Sequence, residues 1–174
     1  MSNLARQIIG KNIRLIRKKI GLSLLNFSIL TELSKTTIVN IENGINGYNL
    51  NNLDKIMNFT KYSLQELSDK NFEPKEDIRE FYMKLYEKHD RFYPILSRPP
   101  EIVYAIKNKV LFGNFLDTPK ETREIKRFLE GFGWEYNGTA IAVTLKRMPD
   151  LVEIRKHENK INTNVYLKKT FKGS

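Results

Sequence analysis

Between Leu33 and Gly44 the chain reads LSKTTIVNIENG, and its polar chemistry is concentrated in Ser34, Lys35, Thr36, Thr37 and Asn40. These side chains offer hydroxyls, one carboxamide and one ammonium, with no group that exchanges a proton near neutral pH. Ile38 and Ile41 stand three apart, so they share one helical face and turn the polar residues elsewhere. Such a face suits hydrogen bonding to a second polar surface.

Catalytic constellations are thin elsewhere. There is no cysteine, which removes disulfides, thiolate metal sites and thiol nucleophiles together. His89 and His157 are the only histidines and lack neighbours at metal-ligand spacing. His89 is expected to pack on its helix face and His157 to sit exposed near a hairpin turn. Gly131 and Gly133 lack the third glycine and the preceding strand of a phosphate loop. Pro149-Asp150 followed by Glu153-Ile154-Arg155 superficially matches a nuclease acid pattern, but the acids stand too close for separated strands. The expectation is a protein that is not an enzyme, with no metal and no cofactor.

The charge balance points outward. Thirty Lys and Arg against 20 Asp and Glu give a net charge of +10, which favours polyanions, nucleic acid being the commonest. Apolar residues make up 40% of 174 positions, enough core for one sizeable domain or two small ones. No run approaches the roughly 18 apolar residues of a membrane span. The start, MSNLARQIIGKNIRLIRKK, lacks the continuous apolar core of a secretory leader. A cytoplasmic protein without a membrane partner is the expectation.

The elements that must position the quoted helix lie on either side of it. Ile9, Ile13, Ile16 and Ile20 form an apolar stripe flanked by Arg14, Arg17, Lys18 and Lys19, and Gly21 stops that helix. Ser23 caps a second helix carrying Leu24, Phe27 and Leu30. Ser34 caps the quoted helix, Asn49 a fourth with Leu53, Ile56 and Phe59, and Ser63 to Glu66 forms a capping box for a fifth. Five helices thus occupy residues 1–69.

Residues 70–98 are expected as one amphipathic connecting helix, opened by Pro74 and ended by Pro94 and Pro99-Pro100. Its aromatic stripe offers Phe81, Tyr82, Leu85 and Tyr86 as a homodimer contact. Residues 99–174 change pattern. A helix over 101–111 precedes Thr118-Pro119-Lys120-Glu121, which reads as a helix start with proline at its first position. That helix halts at Gly131-Phe132-Gly133. Asn137 caps another up to Met148, with Thr139, Ala142 and Thr144 as outward positions. Two alternating runs, LVEIRKH and NTNVYLKK, then form a β-hairpin.

Residues 9–67 resemble the Xre/Cro/CI-type, lambda-repressor-like helix-turn-helix family. The resemblance rests on Leu22-Ser23, Phe27-Ser28 and Ile41-Glu42-Asn43-Gly44, with Leu50, Leu53, Ile56, Phe59, Ser63 and Leu67 in the family's register. Two positions depart: Leu24 stands where the family often has glutamine, and Glu32 where it often has glycine. The resemblance implies that the quoted helix enters the major groove of double-stranded DNA. Ser34, Lys35, Thr36, Thr37 and Asn40 would then read bases. Arg14, Arg17, Lys18, Ser23, Leu24 and Asn43 would hold phosphates.

Residues 99–174 resemble winged-helix domains in pattern, with the wing tip at 157–161. Fourteen basic against nine acidic residues lie there, and Lys146, Arg147, Arg155, Lys156 and Lys160 form a second candidate nucleic-acid surface. The expected fold is therefore mainly α: a five-helix domain, a connecting helix and a small α+β domain ending in a hairpin. The expected function is a sequence-specific DNA-binding transcriptional regulator, a repressor acting as a homodimer. The alternative is a self-regulating helix-turn-helix fused to a domain that binds and inhibits another protein, as in antitoxins or phage-encoded inhibitors of host defence.

Overall fold

A computed structural model describes residues 2–46 and 48–169. It is mainly helical with one small three-stranded antiparallel sheet. The chain divides into two compact units, Met1–Arg98 and Pro99–Ser174. No helix among the described residues is long and apolar enough to cross a membrane.

Unit 1 begins with α1 (Asn3–Ile20), α2 (Leu24–Thr31), α3 (Lys35–Glu42), α4 (Leu50–Thr60) and α5 (Leu64–Leu67). Local chemistry sets their ends. Ser23, Ser34, Asn49 and Ser63 each accept an N–H of the first turn they precede, which satisfies a donor the helix itself leaves unpaired. Gly21 ends α1 at φ 79°, a left-handed conformation that glycine adopts without steric cost. The isoleucine stripe of α1 joins Phe27, Leu30, Ile38, Ile41, Leu53, Ile56, Phe59 and Leu67 in one buried core. Asn12 is buried in α1 and donates to the Leu67 and Asp69 carbonyls at 3.0 and 2.7 Å. It thereby closes the end of α5 against α1.

Residues 70–98 do not form the single connecting helix that their aromatic stripe predicts. They fold as α6 (Ile78–Leu85) and α7 (Tyr93–Leu96), and Ile78, Tyr82, Tyr86, Ile95 and Leu96 belong to the core of unit 1. Pro74 lies before α6 in irregular chain, and Pro94 sits inside the first turn of α7, where a missing N–H costs nothing. Arg79 supplies the reason for the reversal. Its buried guanidinium donates to the carbonyls of Ile20, Leu96 and Arg98, each at 2.7 Å. A buried cation needs such partners, and meeting them brings the chain back to the carboxyl end of α1.

Unit 2 opens with α8 (Ile102–Ala105), which widens into a π-helical segment, Ile106–Val110. A 3-10 turn, Phe115–Asp117, leads to β1 (Lys120–Glu121), α9 (Thr122–Glu130), α10 (Gly138–Lys146), β2 (Val152–Lys156) and β3 (Asn164–Lys168). The sheet order is β1-β3-β2, with Lys120 opposite Tyr166 and Ile154 opposite the same residue on the other side. Ala105, Ile106, Val110, Leu116, Ile125, Leu129, Ile141, Leu145, Val152 and Tyr166 form its core. The expected start of α9 at Thr118-Pro119 is wrong by several residues. Lys120 and Glu121 are drawn into strand pairing with β3, so the chain stays extended until Glu121. There the Glu124 carboxylate accepts the Glu121 N–H at 2.7 Å.

Candidate nucleic-acid interface

The polar face of α3 is presented as its spacing predicts. Ser34, Lys35 and Thr36 are exposed, Thr37 and Asn40 half-buried, while Ile38 and Ile41 are sealed in the core. The five side chains are not equivalent. The Ser34 hydroxyl accepts from the Thr37 N–H at 3.0 Å and lies 2.8 Å from the Thr37 hydroxyl, so these two groups hold each other at the cap. Among the described residues, the side chains of Lys35, Thr36 and Asn40 make no hydrogen bond or ion pair within the protein. They are the donors and acceptors left for another molecule.

What holds α3 is a buried ion pair at its other end. Glu42 is 5% exposed, and its carboxylate takes Arg17 through Nε at 2.6 Å and Nη2 at 2.8 Å. Arg14 reaches the same carboxylate at 3.2 Å and gives a second donor to Asn43 Oδ1 at 2.7 Å. Arg17 also donates to the Leu22 carbonyl at 3.0 Å. A guanidinium bound on both edges and buried cannot also meet a phosphate, so its expected phosphate contact is corrected to a positioning role. Such a two-point geometry fixes the angle between α1 and α3 more firmly than a single contact would.

The same two helices touch at Gly10. A Cβ there would meet the Ile41 carbonyl oxygen at 2.2 Å and the Tyr48 hydroxyl at 2.7 Å. The Tyr48 hydroxyl sits between the Arg6 and Ile41 carbonyls, and burial pushes its pKa up to about 12 against a smaller opposing effect of Arg6. The loop after α3 is thereby tied to α1.

The remaining phosphate candidates differ in availability. Lys18 and Asn43 are exposed, and Arg14 is partly so. The Ser23 hydroxyl accepts the Asn26 N–H at 3.0 Å and keeps its own proton for an anion, whereas the Leu24 side chain packs on the core and leaves only its backbone. Glu32, at the turn between α2 and α3, adopts φ 56°. A non-glycine residue pays a steric cost there; Lys55 Nζ, donating to the Glu32 carbonyl at 3.3 Å, and Arg91, paired with its carboxylate, hold it in place.

In unit 2 the basic set is divided. Lys146, Arg147 and Lys156 are exposed. Arg155 is held by Glu153 at 2.7 Å, and Lys160 pairs with Glu121. Glu121 also meets Arg123 at 3.1 Å and His157 at 3.4 Å. The hydrogen bond from Lys160, aided by the charges of Arg123, Lys160 and His157, holds the Glu121 carboxyl below its usual range. The loop between β2 and β3 is thus anchored to the amino end of α9. His157 is partly covered by this cluster rather than fully exposed. On α10, Thr144 is buried and Ala142 half-buried; the outward residues are Thr139, Ala140 and Val143.

The expected dimer contact is only half available. Tyr82 and Tyr86 are buried, donating to the carbonyls of Thr60 and Phe59, whereas Phe81 and Leu85 are exposed at 39% and 45%. The rings of Tyr82 and Tyr86 stack on Phe59 at 5.4 and 5.8 Å. His89 is exposed and stacks on Phe92 at 3.9 Å. Sequence reasoning missed the roles of Gly10, Glu42, Arg79 and Glu121. For Glu42 a signal was present: one acid on the buried side of a helix facing two arginines three residues apart. No protein-family model matches the chain, and no curated protein or solved structure matches it.

Proposed function

We propose that unit 1 is a lambda-repressor-like helix-turn-helix domain that binds double-stranded DNA in a sequence-dependent way, and that the protein is a transcriptional regulator. The reading rests on one observation: α3 turns the free side chains of Lys35, Thr36 and Asn40 outward while Glu42, Arg14 and Arg17 clamp its base. In this reading α3 enters the major groove. Asn40 pairs with adenine, Lys35 reaches guanine or a phosphate, and the threonine methyls contact thymine. Lys18, Arg14 and the start of α2 supply phosphate contacts that position without specifying. Exposed Phe81 and Leu85 are the remaining candidates for pairing two copies on inverted half-sites, one helical turn apart.

The test starts from duplexes selected from a random pool by the full-length protein. Asn40→Ala and Thr36→Ala are expected to lower preference for the selected duplex over a scrambled one, each by about 1–3 kcal/mol. Failure to enrich any sequence, or an equal loss on both duplexes, would sink the reading.

For unit 2 the winged-helix reading draws support from the order helix, short strand, two helices and hairpin, with β1 beside β3. Its partner is a separate matter. The exposed Thr139, Ala140 and Val143 on α10, and the internal pairing of Arg155 and Lys160, favour a protein partner over a second base-reading helix. Removing Lys146, Arg147 and Lys156 together would leave the salt dependence of duplex binding unchanged on that reading, and flatten it if they meet phosphates.

A further inference from the structure

Unit 2 carries a cavity between its π-helical segment and the ends of the hairpin strands. It measures about 280 Å³ and is lined by Lys107, Leu111, Leu151, Lys168 and Lys169. Leu111 closes the π-helical segment, its N–H donating to the Ile106 carbonyl at 2.9 Å. Lys107 stands four residues earlier, so the two lie on one helical face. π-helical turns are rare and occur mostly at functional sites. From the other side, the Lys169 N–H donates to the Leu151 carbonyl at 2.9 Å, which fixes the end of β3 beside the start of β2.

Two leucines and three lysines line the cavity, and among the described residues no carboxylate does. Glu153 feels Lys169, but Arg155 already grips it at 2.7 and 3.1 Å. An anion seated among these lysines is attracted by each of them. The leucines gain when they are covered by something other than water. A phosphate backbone would use the cations and leave the leucines wet; a small molecule of the right polarity satisfies both. The volume lies near the lower end of small-molecule sites.

We propose that this cavity binds a small molecule with an apolar ring or short chain and a terminal carboxylate or phosphate. The apolar part rests on Leu111 and Leu151, and the anion lies among Lys107, Lys168 and Lys169. The inference is independent of the duplex reading of unit 1.

Amide shifts of the full-length, nitrogen-15-labelled protein test it, with phenyl phosphate as the probe. The expected result is saturable change confined to the five lining residues and their neighbours, with affinity about tenfold or more above inorganic phosphate or benzyl alcohol. Benzoate in a parallel titration tells a carboxylate head group from a phosphate, the tighter ligand naming the class. The double variant Lys107→Glu with Lys168→Glu is expected to weaken binding about tenfold or more, and Leu151→Ser to weaken it while leaving the spectrum dispersed. Equal affinity for inorganic phosphate or for benzyl alcohol would overturn the proposal. So would changes spread over the whole basic surface, or a double variant that binds as tightly. A response of the three lysines to a short duplex but not to phenyl phosphate would make them a backbone-contact surface and overturn it too.

Discussion

Helices α3 and α10 occupy matching places in their units, each the later of two helices in a pair and each opened by a side-chain cap, Ser34 and Asn137. Their outward faces differ. The former shows Lys35, Thr36 and Asn40, the latter Thr139, Ala140 and Val143. The supports differ as well: α3 is clamped by a buried carboxylate between two arginines, whereas Glu121 in unit 2 gathers its cations at the surface. Buried ion pairs are costly to break, and exposed ones are worth little. Rigid positioning is therefore concentrated beneath α3, the helix proposed to meet a partner of fixed spacing.

The sharpest way to break that comparison is Glu42→Ala. It leaves Arg17 buried without its counter-charge and should cost about 3–5 kcal/mol in the unfolding of unit 1. A change below about 1 kcal/mol in chemical denaturation would remove the clamp from the account. Gly10→Ala comes next. Its Cβ meets the Ile41 carbonyl, so α1 and α3 must separate, at a cost of about 1–3 kcal/mol. Fluorescence-monitored unfolding reads this, and duplex affinity should fall with it.

Titration at high pH sharpens the contrast further. Burial pushes Tyr48 and Tyr86 up to about 12 and Tyr82 higher still, from an ordinary 10.0. Folded unit 1 then holds protons that the unfolded chain releases, so its stability is complete below pH 10 and falls as pH rises through 12. Tyr86→Phe should flatten that alkaline decline, measured as melting temperature against pH. The smallest effect belongs to Glu121→Gln. Its depressed carboxyl contributes above the ordinary value of 4.5 and loses that contribution as pH falls through the folded value. The variant should free Lys160 and loosen the loop between β2 and β3, seen as faster amide exchange there, with little change in the melting of unit 2.

Much of the fold was legible because it was written locally. Ser23, Ser34, Asn49, Ser63 and Asn137 each announce a helix start through a hydrogen bond spanning two or three residues, and Gly21 announces an end. The hairpin was legible from alternation. Two errors share a cause. Residues 70–98 and the start of α9 carry strong local helix signals, but Arg79 and the Lys120–Tyr166 pairing impose partners far along the chain. At the candidate interface, the polar outward face of α3 followed from the positions of Ile38 and Ile41. The assignment of Arg17 to phosphate failed because a count of basic residues cannot tell a free cation from one already bound.

The order of residues by itself determined where helices start and stop, which stripes turn inward, and that α3 would display small polar groups, since these depend on neighbours within one turn. Only the tertiary structure decided which cations are free. It buries Arg17 against Glu42 and folds the aromatic stripe of residues 78–86 into unit 1. It also brings Lys107, Lys168 and Lys169 together with Leu111 and Leu151 around one cavity. Charge acts through space, and the distances that set its strength exist only once the chain has closed on itself.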